Sequence, residues 1–559
     1  MTKWLKAARS TSSAKPNKEN DFSKNTRQRR AKRCAFVFAT NTKTRAESGK
    51  NHRFRPDSII KWAESKKISS IPPEIYYFCG EIDSVMATLI GREKETALLR
   101  EYISSNHAEF IGLYGRRRVG KTFLVNQVLK DELTFSVSGL LYGKKSEQVS
   151  AFQIALREYG YEKPLSSNWL ELFHALQELM TQKTKNGQPC VIFIDELPCF
   201  DRKGGAFVRA LGQFWNTWAS LRDEVKLIVC GSATSWMVRN IINNRGGLHN
   251  RLTHSIHLAP FTLKETENYL NANGFHWTRQ MTAQAYMMLG GVPYYLSLLK
   301  NTESLAQNID RLCFSKGGEL ASEYESLYKS LFDNEKPYLK IIAQLAANKK
   351  GLTRVELTKK LKTADNGHIS NQLEDLENCD LIRRYHTREK KIKATGGIFQ
   401  LTDFFTLFHL TFASKQFEDQ QYWLHHLGTP TVNTWYGHAF ERLCMAHIPQ
   451  IKKALRIDGI GTEYYAWRSK AKNDKTQIDL IIERADKMIN LCEIKYSEGA
   501  YLLDKEEAAK IRKRRSAFVE QTGTRCGILP TLITANGASQ NSYASEMAFQ
   551  LTLDDLFED

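Results

Sequence analysis

The stretch Phe110–Val125 reads FIGLYGRRRVGKTFLV, and the fold of the chain can be worked out from it. An apolar run leads into residues 115–122, GRRRVGKT, and an apolar-spaced segment follows, which predicts a strand, a glycine-bracketed loop and a helix. This is the context of the phosphate-loop pattern GxxxxGK[ST]. Its glycines let successive backbone N–H groups point at phosphate oxygens, and the first turn of the helix adds partial positive charge. We therefore expect ATP at this loop.

The loop residues have separate expected roles. Lys121 is expected to reach the β- and γ-phosphates, and Thr122 to ligate Mg²⁺. The side chains of the three arginines either touch phosphate or point into solvent, and the pattern does not decide between the two. The remaining nucleotide-binding residues expected within the loop are Gly115, Arg116, Arg117, Arg118, Val119 and Gly120.

The composition is that of a globular protein without membrane spans. The chain has 559 residues, of which 42% are hydrophobic and 25% charged, and this length corresponds to about three to five domains. No apolar run approaches the ~18 residues of a transmembrane helix, so no membrane partner is expected. The ten cysteines are scattered, without a CxxC pair or a secretory signal, which favours reduced thiols and a cytoplasmic location.

Residues 1–84 differ from the rest in composition and are predicted to be a disordered basic tail. Residues 1–85 hold 19 Lys and Arg against 8 Asp and Glu, so they carry more than half of the net charge of +19, and apolar periodicity is almost absent. Three accounts stay open. The segment is a solvated tail or an over-extended start ahead of Met86, an arm that touches nucleic acid, or an organellar transit peptide.

Strand and helix patterns alternate over residues 85–262. The five predicted strands, separated by segments of helical periodicity, lie at 109–114, 133–138, 190–195, 226–230 and 254–258. This alternation predicts the α/β class, with a parallel sheet covered by helices on both faces, as in a P-loop NTPase core. Ligands of such sheets bind at the carboxyl ends of the strands, where the glycine-bracketed loop also lies.

Two of these strands end in polar residues suited to nucleotide chemistry. Residues 190–196, CVIFIDE, form a buried strand that ends in two acids. Asp195 is expected to hold the Mg²⁺ shell through water, and Glu196 to polarise the attacking water. Ser232 follows another strand, and it either hydrogen-bonds the water or the γ-phosphate or simply begins a strand-to-helix turn. These residues predict ATP hydrolysis as well as ATP binding.

Together the motifs resemble those of prokaryotic AAA+/STAND-type ATPases of the archaeal-ATPase group. Besides the loop and the acidic strand end, the segments that carry the resemblance are GRxxE at 91–95, CGS at 230–232, NRLT at 250–253 and GGVPYYL at 290–296. The resemblance implies that Gly91 and Arg92 lie beside the adenine and that Pro293 opens a helical lid over residues 263–333. It also makes Arg251 a candidate γ-phosphate sensor, although a charge at a strand start is as often solvated.

Residues 334–412 have the element order of a winged helix-turn-helix. Three helical segments are followed by two strands joined by the charged turn TREKK at 387–391. The third helix, Asn371–Asn378, would face a DNA major groove, but its sequence NQLEDLEN is acidic, which argues against strong phosphate contact. A DNA reader and a module that docks on protein, including on this chain itself, both stay open.

Residues 413–559 carry a second group of charged side chains. Glu441 lies on a predicted helix, Asp479 on one strand of a hairpin, and Glu493 with Lys495 on the other strand. Because residues two apart in a strand share a face, Glu493 and Lys495 project together, and Asp479 can meet them. The three carboxylates would hold Mg²⁺ or Mn²⁺, and the lysine would orient or activate water.

This last region resembles the PD-(D/E)xK nucleases, which have an α/β restriction-endonuclease-like fold. The resemblance implies that Asp479, Glu493 and Lys495 are catalytic, although Gln477 and Ile478 stand where the motif has its proline. An ATPase, a winged helix and this domain in one chain are similar to one recurring prokaryotic family. The resemblance covers residues 86–559 and leaves the basic tail out.

The function expected from these motifs is an ATPase coupled to a DNA-directed, metal-dependent nuclease-like domain. ATP and DNA are the expected partners, and homo-oligomerisation stays open. An alternative is a STAND-like switch in which ATP controls partner binding, turnover is slow, and the nuclease fold is inactive. A toxin or defence effector would share the nuclease chemistry and differ only in context.

Overall fold

A computed structural model describes residues 89–184, 188–201, 205–244, 246–332, 334–348, 351–385, 397–414, 419–469 and 476–558. The predicted basic tail and the charged turn at 387–391 lie outside the described residues. In the described part of the chain, no helix is long and apolar enough to cross a bilayer.

The first sheet contains the glycine-bracketed loop, and we call it the P-loop sheet. It has five strands in the order β2-β3-β4-β1-β5, all of which pair in parallel. This confirms the predicted parallel sheet. Its three central strands are buried almost throughout, as expected for strands covered on both faces. The strands are β1 Glu109–Tyr114, β2 Leu133–Ser138, β3 Cys190–Asp195, β4 Val225–Gly231 and β5 His254–His257.

Helices connect these strands, in agreement with the predicted alternation. After β4, four residues of α-helix continue as a π-helix over Val238–Ile242. The helices of this region are α1 Glu93–Ile103, α2 Lys121–Leu129, α3 Lys145–Glu158, α4 Trp169–Lys183, α5 Leu197–Phe200, α6 Ala206–Thr217 and α7 Thr234–Met237.

The residues after β5 form helices, as the lid prediction requires. Thr262 begins the first helix with a capping box, in which its side chain accepts the Glu265 N–H and Glu265 accepts the Thr262 N–H. The helices are α8 Leu263–Ala272, α9 Arg279–Leu289, α10 Pro293–Ser297, α11 Leu305–Ile309 and α12 Glu323–Leu331.

The next module combines three helices with a small antiparallel sheet of order β6-β8-β7. Its third helix starts four residues earlier than predicted because the Asn366 side chain accepts the N–H groups of His368 and Ile369. The elements are α13 Lys336–Ala347, β6 Leu352–Thr353, α14 Arg354–Leu361, α15 Gly367–Asn378, β7 Ile382–Tyr385, β8 Ile398–Leu401 and α16 Phe404–Phe408.

The acidic third helix α15 docks on the P-loop region. Asp375 is buried, forms an ion pair with Arg239 and accepts a hydrogen bond from Tyr338 Oη at 2.7 Å. Its carbonyl oxygen accepts the Ser235 hydroxyl at 3.0 Å. One face of this helix is therefore used for contact within the chain.

The C-terminal region is built on a second five-stranded sheet of order β13-β12-β11-β10-β9. Its strands β9, β10 and β11 are antiparallel, while β12 and β13 add in parallel. The strand β9 was not predicted from the sequence. The elements are α17 Tyr422–His426, α18 Pro430–Ala446, α19 Ile448–Ala454, β9 Thr462–Arg468, β10 Gln477–Arg484, β11 Met488–Lys495, α20 Lys505–Thr522, β12 Gly527–Thr534 and β13 Phe549–Leu551.

Two large apolar cores hold this architecture together. One lies under the P-loop sheet and contains residues such as Phe135, Phe152 and Phe207. The other is continuous from the lid helices through the small antiparallel sheet to one face of the C-terminal sheet. The helices α8 to α12 and the regions after them therefore share a hydrophobic interior.

Candidate functional site

The P-loop has the backbone geometry that its glycines predict. At Gly115 the φ angle is +152°, and a Cβ atom there would lie 2.2 Å from the carbonyl oxygen of Leu258, so only glycine fits. At Gly120 the φ angle is +90°, and a Cβ would meet nothing within 4 Å. Gly120 thus borders open space at the N-terminus of α2, which suits an anionic phosphate group.

Lys121 closes the loop from its helical end. Its Nζ donates hydrogen bonds to the carbonyl oxygens of Gly115 at 2.8 Å and Arg116 at 2.9 Å. The side chain is only 5% exposed. A buried ammonium group beside the open space of the loop is a suitable partner for phosphate oxygens.

Thr122 and Asp195 meet at the carboxyl ends of β1 and β3. The Thr122 hydroxyl donates to Asp195 Oδ2 at 2.8 Å, and Asp195 Oδ1 accepts the N–H of Glu196 at 2.9 Å. A hydroxyl and a carboxylate are the oxygen donors that Mg²⁺ prefers. The donor set therefore fits the Mg²⁺ expected with ATP, and these two residues would hold it.

Glu196 is bound to Ser232 rather than directed only toward a nucleotide. Glu196 Oε2 accepts the Ser232 hydroxyl at 2.9 Å and the Ser232 N–H at 3.2 Å. Its backbone has a φ angle of +44°, a conformation that a residue other than glycine rarely adopts. Ser232 thus orients Glu196, and its expected hydrogen bond to water or the γ-phosphate stays a prediction.

Two of the loop arginines point away from the nucleotide side. Arg116 is 2% exposed and forms an ion pair with the fully buried Asp403. Arg118 makes two hydrogen bonds to the Glu323 carboxylate, at 2.9 and 2.8 Å. These two side chains therefore neither contact phosphate nor point into solvent, because both form ion pairs within the protein. Only the backbone N–H groups of Arg116 and Arg118 remain for ATP. Arg117 is half-exposed.

Arg92 joins the P-loop to the connection between β5 and the lid. Its Nη2 donates to the carbonyl oxygen of Ala259 at 2.6 Å and to that of Val119 at 3.4 Å. Its backbone N–H donates to Glu265 Oε1 at 3.1 Å, and the guanidinium lies 4.6 Å from the centre of the Phe261 ring. Burial lowers the pKa of Arg92, although nearby carboxylates oppose the shift. Arg92 therefore links the P-loop to the start of α8, and its expected place beside the adenine stays a prediction.

The segments around Gly91 and Pro293 also contact the loop and lid. Gly91 has a φ angle of +72°, and a Cβ there would touch Glu265 and Phe261 at 3.4 Å. Pro293 is the first residue of α10, and the N–H of the following Tyr294 donates to the carbonyl oxygen of Arg118 at 3.4 Å. Gly91 thus lies beside the start of α8, and Pro293 begins a helix that contacts the P-loop.

Arg251 lies at the opposite edge of the P-loop sheet from the P-loop. The N–H of Thr253 donates to the carbonyl oxygen of Phe110 at 3.0 Å, which places Arg251 near the amino end of β1. The P-loop follows Tyr114, about 13 Å further along that strand. Arg251 is exposed. It does not reach the phosphate position of its own chain, so its expected role as a sensor there is not supported.

The C-terminal sheet brings Asp479, Glu493 and Lys495 together. The antiparallel register pairs Leu480 with Cys492, which puts Asp479 opposite Glu493 on one face. Lys495 Nζ lies 3.0 Å from Glu493 Oε1. Burial lowers the pKa of Lys495, but the charge and hydrogen bond of Glu493 outweigh it, so the pKa lies above its usual value. The lysine is therefore a charged donor.

Two residues of α20, which were not predicted from the sequence, complete this group. Arg514 Nη1 lies 2.7 Å from Glu493 Oε2, and Lys495 lies 3.4 Å from Glu507. The basic run IRKRR at 511–515 was the available signal. Both oxygens of Glu493 are thus paired with cations.

Glu441 does not join this group. It lies on α18, where its contact is His438 at 3.7 Å. Cys444, one turn further along α18, packs in the same core as Cys492 of β11. Because neighbouring residues of a strand point to opposite faces, that core lies on the face of β11 opposite to Glu493. Among the described residues, no three His, Cys, Asp or Glu side chains are grouped to hold a metal ion. The structure therefore corrects the expected set of three carboxylates to a pair.

Comparison with known proteins identifies the first of these regions. Residues 89–299 match a family model described as an ATPase domain predominantly from Archaea. The match contains the P-loop, the acidic end of β3 and Ser232. This part of the chain is therefore similar to an ATPase domain, in agreement with the sequence motifs.

Individual relatives are distant. An uncharacterized protein of Methanocaldococcus jannaschii is 22% identical over 417 residues, which cover 73% of this chain and 88% of that protein. An uncharacterized ATP-binding protein of the same organism is 23% identical over 255 residues, covering 40% of this chain and 69% of the relative. A Walker-type ATPase of Pyrococcus abyssi is similar in structure over 58% of this chain and 96% of its own, with 17% identity and a TM-score of 0.44.

Proposed function

We propose that this protein binds ATP at the P-loop and hydrolyses it. The observation that carries the proposal is the arrangement of Thr122, Asp195, Glu196 and Ser232 at the carboxyl ends of three adjacent strands. ATP binding alone would need only the loop and Lys121. Hydrolysis also needs a group that positions or activates the attacking water, and the oriented Glu196 carboxylate beside Thr122 and Asp195 can supply it.

Each residue has a specific task in this mechanism. Lys121 and the loop N–H groups bind and orient the phosphates. Thr122 and Asp195 would hold Mg²⁺, which supplies Lewis-acid stabilisation of the phosphate charge when it is bound. Ser232 holds Oε2 of Glu196, which leaves Oε1 to accept a proton from the attacking water.

Phosphate release from ATP and Mg²⁺ tests this proposal. Wild type should turn over, Lys121→Ala should not, and Lys130→Ala should behave like wild type because Lys130 is an exposed residue outside the loop. A wild-type rate equal to that of Lys121→Ala would rule out hydrolysis. If the wild type bound ATP without hydrolysing it, an ATP-controlled switch would replace the proposed hydrolase function.

The C-terminal region supports a second candidate function, cleavage of DNA. The observation in its favour is the placement of Asp479 opposite Glu493, with Lys495 on the same face. Two carboxylates are enough to hold Mg²⁺ or Mn²⁺ when waters and substrate phosphates supply the other oxygens. Lys495 and Arg514 would bind the phosphodiester once it approaches, because both are cations beside the carboxylate pair.

Cleavage assays decide on this second function. Single-stranded, duplex and branched DNA would be incubated with the full chain and Mg²⁺ or Mn²⁺, with ATP, with ADP and without nucleotide. Asp479→Asn should lose cleavage, while Glu520→Gln, an exposed acid on the same domain, should retain it. If wild type cuts none of these substrates in any condition, the C-terminal fold is not a nuclease and its remaining role is docking.

A further inference from the structure

Arg116 directs its side chain out of the P-loop into the interior of the protein. Its guanidinium pairs with Asp403, which is 287 residues away in sequence and fully buried. Asp403 also caps α16, because its Oδ2 accepts the N–H of Thr406 at 2.9 Å. A single carboxylate thus connects the nucleotide loop to the first helix after the small antiparallel sheet.

Arg118 makes a parallel connection to the lid. Glu323 accepts two hydrogen bonds from its guanidinium and a third from Tyr295 Oη at 3.2 Å. The ring of Tyr294 lies 3.9 Å from the Arg118 guanidinium carbon. A bidentate arginine pair that is also stacked on an aromatic ring has a defined geometry.

Both arginines are residues of the P-loop, whose backbone N–H groups are expected to bind phosphate. The carbonyl oxygen of Arg116 accepts Lys121 Nζ at 2.9 Å, and that of Arg118 accepts the N–H of Tyr294 at 3.4 Å. A displacement of Asp403 or Glu323 would therefore move the loop carbonyl and amide groups. Positions in such a loop must be correct to within less than an ångström for efficient binding.

The Arg116 pair is not what stability alone would favour. Its Nε and Nη2 are buried and have no hydrogen-bond partner in the described part of the chain. An under-satisfied buried ion pair is generally no more stable than apolar residues of similar volume. A functional reason for keeping the charges is consistent with their place in the loop.

We propose that Asp403 and Glu323 are positioning residues of the ATP site, which act through Arg116 and Arg118. The inference rests on the proposed binding of ATP to the P-loop and deepens it. Nucleotide affinity then depends on whether residues 397–414 and the lid are docked against the loop. Because binding free energies are reciprocal, ATP must in turn change the local stability of α16.

Nucleotide binding to the full chain tests this inference, with the dissociation constant of ATP measured without turnover at low temperature. Asp403→Asn keeps the α16 cap and removes the charge, and it should weaken ATP binding at least about five-fold. Glu323→Gln should weaken it in the same direction. In the double variant Arg116→Gln with Asp403→Asn, the two losses should not add, because both remove one interaction.

Asp375→Asn is the matched control. Asp375 is also a buried aspartate paired with an arginine, Arg239, between the ATPase domain and the module that follows, but it does not contact the P-loop. It should leave ATP affinity close to that of wild type. If Asp375→Asn and Asp403→Asn weakened ATP binding equally, the effect of Asp403 would come from general separation of the two parts of the chain. That result would overturn the inference.

Hydrogen exchange of the wild type provides a test that needs no variant. ATP should alter the exchange rates of the amides in α16, whereas amides of α20, which does not contact the loop, should stay unchanged. Unchanged exchange in α16 under saturating ATP would overturn the inference even if Asp403→Asn failed to fold. A wild type that does not bind ATP would instead refute the proposed function itself.

Discussion

The Ser232 hydroxyl and Glu196 Oε2 are 2.9 Å apart, across the ends of two neighbouring parallel strands. The Ser232 N–H reaches the same oxygen at 3.2 Å. Two donors on one carboxylate oxygen fix the orientation of the side chain and leave its other oxygen for a reacting water. The proposed role of Glu196 in hydrolysis therefore depends on Ser232.

Replacement of Ser232 by alanine should lower kcat about ten-fold while ATP affinity changes little. The hydroxyl is lost, but the backbone N–H still holds the carboxylate in part. Steady-state phosphate release together with equilibrium ATP binding measures both quantities. Ser235→Ala removes a nearby hydroxyl that contacts Asp375 instead, and it should leave kcat unchanged. Equal rates for wild type and Ser232→Ala would show that this hydrogen bond has no catalytic role.

Glu196→Gln should reduce turnover at least about a hundred-fold, because an amide cannot accept the proton from water. Binding of ATP should persist, since Lys121, Thr122 and Asp195 are untouched. A single-turnover measurement with radiolabelled ATP would separate binding from chemistry. Turnover at the wild-type rate would mean that another group activates the water.

Gly115→Ala should destabilise the protein by about 3 kcal/mol or more and abolish ATP binding. A Cβ there would lie 2.2 Å from the carbonyl oxygen of Leu258, a distance that forces the backbone to move. Gly160→Ala is a control with a positive φ angle of +96° but open space around its Cβ, and it should cost about 1 kcal/mol. Denaturant unfolding compares the two, and similar losses would contradict the packing argument.

His447 predicts a dependence of stability on pH. Its Nε2 accepts the N–H of Leu263 at 3.1 Å, and its Nδ1 lies 2.9 Å from the carbonyl oxygen of Leu443, so the neutral Nδ1–H form satisfies both contacts. Burial lowers the pKa of His447 to about 4. In the unfolded chain the pKa of this histidine is near 6.5. The stability that neutral His447 contributes is therefore complete above pH 6.5 and is lost as the pH falls toward 4. The total loss in the free energy of unfolding is about 3 kcal/mol.

The melting temperature of wild type and His447→Gln between pH 7 and pH 4 measures this effect. Carboxylates titrate in both proteins, so the difference between the two profiles isolates the histidine. Wild type should lose more stability on acidification than the variant. Parallel profiles would show that His447 does not control the acid sensitivity of the contact between α8 and the C-terminal region.

Much of the ATPase domain could be predicted because its signals are local. The P-loop glycines, the strand that ends in Asp195 and Glu196, and the alternation of strands and helices each lie within a short stretch of chain. Parallel strands meet at their carboxyl ends, so these separate stretches had to converge. The pair of Asp479 and Glu493 was predictable for a similar reason, since a hairpin places nearby residues opposite each other.

The remaining site residues depend on contacts between distant segments. No local pattern indicates that Arg116 pairs with Asp403, that Arg118 pairs with Glu323, or that Arg514 covers Glu493. The expected positions of Glu441 beside Glu493 and of Arg251 beside the P-loop were wrong. The orientation of the helix that carries Glu441, and the edge of the sheet at which Arg251 lies, both depend on how the whole sheet is assembled. Side-chain type alone does not contain that information.

The amino-acid sequence alone determined that the chain carries a phosphate-loop pattern and a strand that ends in two acids at the same edge of a parallel sheet, because both follow from local backbone geometry and strand order. Only the tertiary structure decided what the loop arginines do. Their partners lie about 200 and 290 residues away, and burial rather than sequence proximity brings opposite charges together there. The charged loop that indicated ATP binding is thus also the part of the site connected most directly to the rest of the protein.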